Sequence, residues 1–189
     1  MLELCGKGVV DIKQTLRYLG YSGGEVPEEL LSECRNLILP ELNPRAVYEV
    51  YDVNRDGGIL DLGFVKTRSK DLYKNLEGCE KIALFAATVG TGVDRLILKY
   101  NKLSPARAVV LQAMGSSAVE CWCDEVNAHI TQKFKNTKPR FSCGYGDFPL
   151  SVQREIFSAL DVTRRLGINL NENLFMTPSK SVTAVIGIL

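Results

Sequence analysis

The chain has 189 residues, 46% of them hydrophobic, enough for one sizeable core that buries roughly 70% of the unfolded surface. Lys and Arg number 23 against 22 Asp and Glu, a formal charge of +1, which excludes an overall field for a nucleic-acid backbone or an anionic membrane and leaves partner choice to local surface. The six cysteines, at positions 5, 34, 79, 121, 123 and 143, show no Cys-x-x-Cys and no regular spacing, so buried thiols are expected rather than a disulfide framework.

Met1 to Gly8 carries Glu3 and Lys7 and no apolar stretch of signal-peptide length, and no later run approaches about eighteen uninterrupted apolar residues. A cytoplasmic protein is expected. Val9, Ile12, Leu16 and Leu19 are spaced for one face of a helix that Gly20 would stop. A second helix is predicted from Pro27, with Glu28 and Glu29 where the helix dipole favours acids, through Leu30, Leu31, Cys34 and Leu37 to the break at Pro40. Together they suggest a helical arm over residues 1–43, ahead of a sheet-and-helix body over 44–189.

The texture then changes to period two. Residues 46–53 and 58–65 read as strands paired around the turn Asn54-Arg55-Asp56-Gly57-Gly58. Asp52, Asn54, Asp56, Gly57 and Ile59 also fall on five positions of a calcium-binding loop, but Gly63 stands where a bidentate Glu is required, and the flanks are strand-like. A hairpin is the expectation. Ser69 can cap a short helix through Leu72 and Leu76 that Gly78 would end. Lys81 to Val89 is nearly continuous apolar sequence, short enough for a central strand buried on both faces. In the following loop Gly90 and Gly92 precede a helix, but Arg95 stands where a dinucleotide fingerprint needs its third glycine, so a tight strand-to-helix connection is expected.

From Pro105 to about Lys133 runs the longest helical pattern, with Ala108, Leu111, Met114, Ala118, Trp122, Val126 and Ile130 on its apolar stripe. Gly115-Ser116-Ser117 interrupts it with small residues, suited to a kink, a close crossing or a ligand. Glu120, Asp124 and His129 lie on the same helix. His129 is the only histidine, and no partner in sequence makes it a zinc ligand or a triad member. Cys121 and Cys123, two apart on a helix, face different ways.

The densest chemistry is the loop 139–150, Pro-Arg140-Phe-Ser142-Cys143-Gly144-Tyr145-Gly146-Asp147-Phe-Pro-Leu. The glycines permit close backbone approach, Arg140 offers a planar fork of donors for a carboxylate or phosphate, and Tyr145 adds an aromatic face and a hydroxyl. Ser151 can cap the next helix, carrying Val152, Ile156, Leu160 and Leu166 with Gln153 and Asp161 on other faces, to about Gly167. Leu174 to Leu189 reads as strand, turn and strand closing the sheet beside the loop, with Met176 in the core and Ser179 and Ser181 as turn hydroxyls. The fold expected is α+β: one domain with a mostly antiparallel sheet, flanking helices including one long one, and the N-terminal helical arm.

Arg140-x-x-x-Gly144-Tyr145, the helical run from Gln153, and Met176-x-Pro178-Ser179-x-Ser181-Val182 together resemble the reactivation domain of cobalamin-dependent methionine synthase in a free-standing short form. Arg17-Tyr18-Leu19-Gly20-Tyr21 and Leu84-Phe85-Ala86-Ala87-Thr88-Val89-Gly90 resemble stretches of such shorter relatives. In that family the Arg-x-x-x-Gly-Tyr segment marks the S-adenosylmethionine site. The resemblance implies that Arg140 pairs with the ligand's carboxylate, the backbone around Ser142 and Gly144 bonds its polar edges, and Tyr145 packs along it. An acid on the long helix takes part, at Glu120 if one turn beyond the matching Ser116. Asp147 meeting the ammonium is a chemical expectation outside the signature. The implied role is to dock on a cobalamin-binding methionine synthase subunit or related corrinoid protein and support reductive methylation of inactive cob(II)alamin, with a flavodoxin-like reductant.

Three points bound that reading. The large enzyme's domain supplies a further ligand-contacting tyrosine beyond the segment matching Ser181 to Leu189, so a weaker pocket, or one finished by a partner, is expected. Cys143 stands where proline is common, as a neutral filler or a thiol that tunes binding. The competing reading is a docking or assembly subunit that does not itself bind S-adenosylmethionine; an ordinary methyltransferase lacks its glycine-rich loop here.

Overall fold

The computed structural model describes residues 1–20 and 26–189; Tyr21 of the Arg17-to-Tyr21 segment lies outside them. In chain order the elements are β1 (Leu2–Cys5), α1 (Ile12–Tyr18), α2 (Glu28–Ile38), β2 (Arg45–Asp52), β3 (Asn54–Asp56), β4 (Ile59–Asp61), β5 (Lys66–Thr67), α3 (Lys70–Asn75), β6 (Lys81–Thr88), α4 (Gly92–Leu103), α5 (Pro105–Phe134), α6 (Gln153–Leu160), α7 (Val162–Leu166), β7 (Asn169–Leu170), β8 (Met176–Thr177) and β9 (Ser181–Ile188). The main sheet has the order β1-β2-β6-β9, every pair antiparallel. The α+β expectation stands.

β6 is central, as its apolar run predicts, because both faces of the sheet are covered. Ala83, Phe85 and Ala87 face a layer built from α1, α2, α4 and α5, joined there by Tyr48, Ala184 and Ile186. Ile82, Leu84 and Ala86 face the opposite core, with Val47, Val185 and residues of α3, α6 and α7. The alternation along β6 therefore separates two apolar cores rather than core from water.

Three features depart from the sequence expectations. Residues 2–5 form an edge strand on β2, so the first 43 residues are not wholly helical. Their helices pack on α5: Asp11 caps α1 through Gln14 N–H (2.9 Å), and the Ser117 hydroxyl accepts from Asp11 N–H and donates to its carbonyl, both at 3.0 Å. Residues 46–53 do not pair with 58–65. β2 is flanked by β1 and β6, and the hairpin is the smaller β3–β4 pair, turning at Gly57 and Gly58. The helix expected from Ser151 to Gly167 is broken at Asp161, whose φ is 49°, and begins with a 3-10 turn at Leu150–Val152 that Ser151 does not cap.

The long helix forms as predicted and runs unbroken for 30 residues. Its small residues serve a close crossing: a Cβ on Gly115 would lie 2.8 Å from Val93 Cγ1 and 3.1 Å from Lys180 Cε. Ser69 caps α3 through Leu72 N–H. After β6 the chain turns tightly, with Gly90 N–H on the Thr88 hydroxyl at 3.1 Å. Among the described residues no helix is long and apolar enough to cross a membrane.

Candidate functional site

Segment 137–141 lies along the outer edge of β9, where Phe141 and Val185 exchange backbone hydrogen bonds at 2.8 and 2.9 Å. This part covers an edge strand that would otherwise present unpaired backbone groups. The chain then turns sharply: Tyr145 N–H donates to Ser142 O at 3.3 Å, Phe148 N–H to Tyr145 O at 3.0 Å, and Gly144 N–H to Phe148 O at 2.9 Å. Gly144 (φ 89°) and Gly146 (φ 53°) supply the left-handed backbone this turn needs, and a Cβ on Gly146 would strike the Asp71 carboxylate. Phe148, 1% exposed and 6.3 Å from the Phe141 ring, seats the loop in the core.

Asp147 belongs to this anchoring, which corrects the expectation that it meets a ligand's ammonium. Its carboxylate accepts from the Ser69 hydroxyl and from the first N–H groups of α3, Lys70 at 2.7 Å and Asp71 at 3.1 Å, while Asp71 accepts the Asp147 N–H at 3.1 Å. The Ser69 hydroxyl and then those N–H groups hold the carboxyl below its ordinary range. A carboxylate at a helix N-terminus is in its preferred electrostatic place.

Between the loop, α5, the start of α6 and the β8–β9 turn lies a cleft of about 380 Å³, within the roughly 300–1,000 Å³ usual for small-molecule sites. Of the residues singled out from sequence, Arg140, Ser142, Tyr145 and Glu120 line it, with Cys143 and Met176. Gly144 does not line it; its N–H is committed to Phe148, and its part is to shape the turn. A larger groove of about 720 Å³ between α1 and α2 starts at Val26, beside the segment outside the described residues.

The Arg140 fork is occupied by the protein's own acids. One guanidinium nitrogen donates to Glu120 and another to Asp124, one turn further along α5. Burial works against the charge on Arg140, and the Asp124 hydrogen bond with the neighbouring negative charges outweighs it. The two pairs are unequal: the Glu120 side chain is 29% exposed and that of Asp124 68%, so the Asp124 contact is the more readily exchanged. Ser116, the position that the resemblance would pair with an acid, instead accepts from Lys180 Nζ at 3.0 Å and donates to Gln112 O. Lys180 is 6% exposed, and burial lowers its pKa against the pull of Asp94.

Burial pushes the Cys143 thiol up to about 12, which makes it a filler of the loop's inner side and not a reactive thiolate. One cleft residue, Gln153, was missed in the sequence; Tyr18 lines a separate groove against α4 and α5. Tyr18, at the end of α1 and half exposed, lies in the electrostatic neighbourhood of Glu120 and Tyr145; burial first, then those two groups, raises its phenol. Gln153, expected on an outer face, is 6% exposed and lines the cleft, and its Oε1 has no hydrogen-bond donor. The signal was present: Gln153, Ile156 and Leu160 are spaced three and four apart, one stripe of a helix beginning at 153.

Of the remaining candidates Ser181 and Cys143 line the cleft, and the others lie apart from it. His129 packs edge-on against Tyr48, ring centroids 5.9 Å apart. Ser179 donates to Asp94 through its hydroxyl and N–H, and Ser181 donates to the Pro178 carbonyl, so both act as turn hydroxyls. Cys34, Cys79, Cys123 and Cys143 are buried, and burial also raises Cys123 to about 12.

No family model matches the chain, and no curated protein matches it. Among solved structures, it is similar to the MetH reactivation domain in a crystal structure bound to AdoHcy, with a TM-score of 0.75 and 16% sequence identity, covering 98% of this chain and 77% of that one. At that identity the likeness shows the fold.

Proposed function

We propose that this chain is an S-adenosylmethionine-binding reactivation module that docks on a cobalamin-binding methionine synthase subunit or related corrinoid protein. The observation that carries the reading is the cleft itself: it gathers the Arg140-to-Tyr145 segment, the Met176 and Ser181-to-Thr183 segment, and Glu120 of α5 in a fold similar to a domain bound to AdoHcy. Three stretches far apart in sequence thus converge on one concavity.

The residues fit an adenosyl amino acid. Arg140 takes the carboxylate by releasing Asp124, the exposed partner, while Glu120 stays to hold the guanidinium in plane. Tyr145, 69% exposed, lies free to cover the ligand from the solvent side. S-adenosylmethionine supplies a methyl group on a sulfonium, and cobalamin, carried by the partner, accepts it. The part left to this chain is to bind, orient and shield. No acid–base pair is required of it.

One observation favours a second reading. Arg140 is already neutralised by two acids, as in a subunit that keeps the fold for docking alone. A spectroscopic assay separates the two. A cobalamin-binding methionine synthase subunit in its cob(II)alamin form, a flavodoxin-like reductant and S-adenosylmethionine are combined with and without the chain. Formation of methylcobalamin that depends on the chain supports the first reading. Partner binding with no such dependence supports docking alone.

A further inference from the structure

Gln153 carries the one polar side-chain group in the cleft that is buried and left without a partner among the described residues. The residue is 6% exposed, its Oε1 accepts no hydrogen bond, and it stands at the first turn of α6 facing the cleft. An orphaned buried acceptor weakens a fold unless a ligand completes it. Nothing in the packing demands a polar group here, since Ile156 and Leu160 on the same stripe are fully buried.

We propose that Gln153 reads the adenine edge of the ligand. The assignment rests on the adenosyl reading above and adds to it the base-recognition residue. A carboxamide places an acceptor and a donor side by side in one plane. The polar parts of an adenosyl amino acid differ in what they offer: the carboxylate only accepts, the ammonium only donates, and the adenine edge sets its exocyclic N–H beside a ring nitrogen that accepts. The ribose hydroxyls can also both donate and accept, but the base alone sets its donor and acceptor side by side in the plane of one ring, in the bidentate pairing that glutamine makes with adenine in nucleic acids. Exchanging the terminal oxygen and nitrogen of Gln153 mirrors the same pair, so the argument holds for either orientation.

The surroundings sort the ligand in the same sense. The cleft that Gln153 lines also presents Phe141, Met176 and the buried Cys143, whose aromatic and sulfur surfaces suit a flat base. The charged groups, Glu120 of α5 and Arg140 of the loop, are paired with each other and suit the amino-acid end.

The test is a calorimetric titration of the whole chain with AdoHcy and with its 6-deamino purine analogue, which lacks only the exocyclic amine, for wild type and Gln153→Leu. The wild type is expected to prefer AdoHcy roughly 10- to 100-fold. Gln153→Leu should lose about that factor for AdoHcy and bind the two ligands alike, with its unfolding temperature raised; Gln153→Ala provides the same binding comparison should the larger side chain not fit. Equal wild-type affinities, or a preference that survives in both variants, would overturn the assignment of Gln153 and leave the adenosyl reading standing. A wild-type chain that binds neither ligand would overturn that reading, and the assignment with it.

Discussion

Arg140 and Gln153 line the same cleft, yet the fold treats them in opposite ways. The guanidinium is held by Glu120 and Asp124, whereas the amide oxygen is buried with no donor. A satisfied charge is positioned before any ligand arrives, and its use requires an exchange of partners. An unsatisfied amide carries a cost that only a ligand removes. The first arrangement gives orientation, and the second gives a reason to discriminate among ligands.

The strongest perturbation removes the contrast altogether. Phe148→Ala empties the seat of the loop and is expected to cost about 3–5 kcal/mol, read by chemical denaturation, with both sides of the cleft losing their geometry. An unchanged midpoint would show that the loop is held elsewhere.

Gln153→Leu sharpens the contrast by sign. Removing an unpaired buried acceptor should stabilise the ligand-free chain by about 1–2 kcal/mol, an increase that a satisfied glutamine would not give. Arg140→Ala should act the other way, costing about 1 kcal/mol because Glu120 loses its partner at a partly exposed site. Two losses of similar size in the same denaturation series would contradict the asymmetry.

The smallest effect is expected on the anchored side of the loop, from Asp147→Ala. Because the folded carboxyl sits below its ordinary value, its contribution is fully present above the unfolded pKa, about 3.9, and disappears as pH falls through the lower folded pKa. The variant's deficit in unfolding temperature should therefore be constant near neutrality and shrink in acid below that value. A deficit that grows on acidification would reverse the sign of the linkage.

Much of the fold was legible because burial on both faces of β6 leaves one unbroken apolar run, and the α5 stripe repeats over many turns. The small hairpin was misplaced because Ala46 to Val53 alternates only weakly, its two faces meeting two different apolar cores. Pairing of β2 with β1 depends on a four-residue strand too short to show a period. In the site, charge and glycine made Arg140, Glu120 and the 144–146 turn conspicuous. Asp147 was misassigned because its partners, Ser69 and the α3 N-terminus, are more than seventy residues away. Gln153 was missed because the 3-10 turn at 150–152 shifts the phase of the helix.

The central claim, an adenosyl site at the Arg140 loop, is tested most directly by titrating AdoHcy into the purified chain and into Arg140→Ala. The account predicts saturable binding that the substitution weakens by about 1.5–3 kcal/mol, the range of a hydrogen bond to a charged group. Saturable binding of equal strength in both proteins, or none in the wild type, would contradict it.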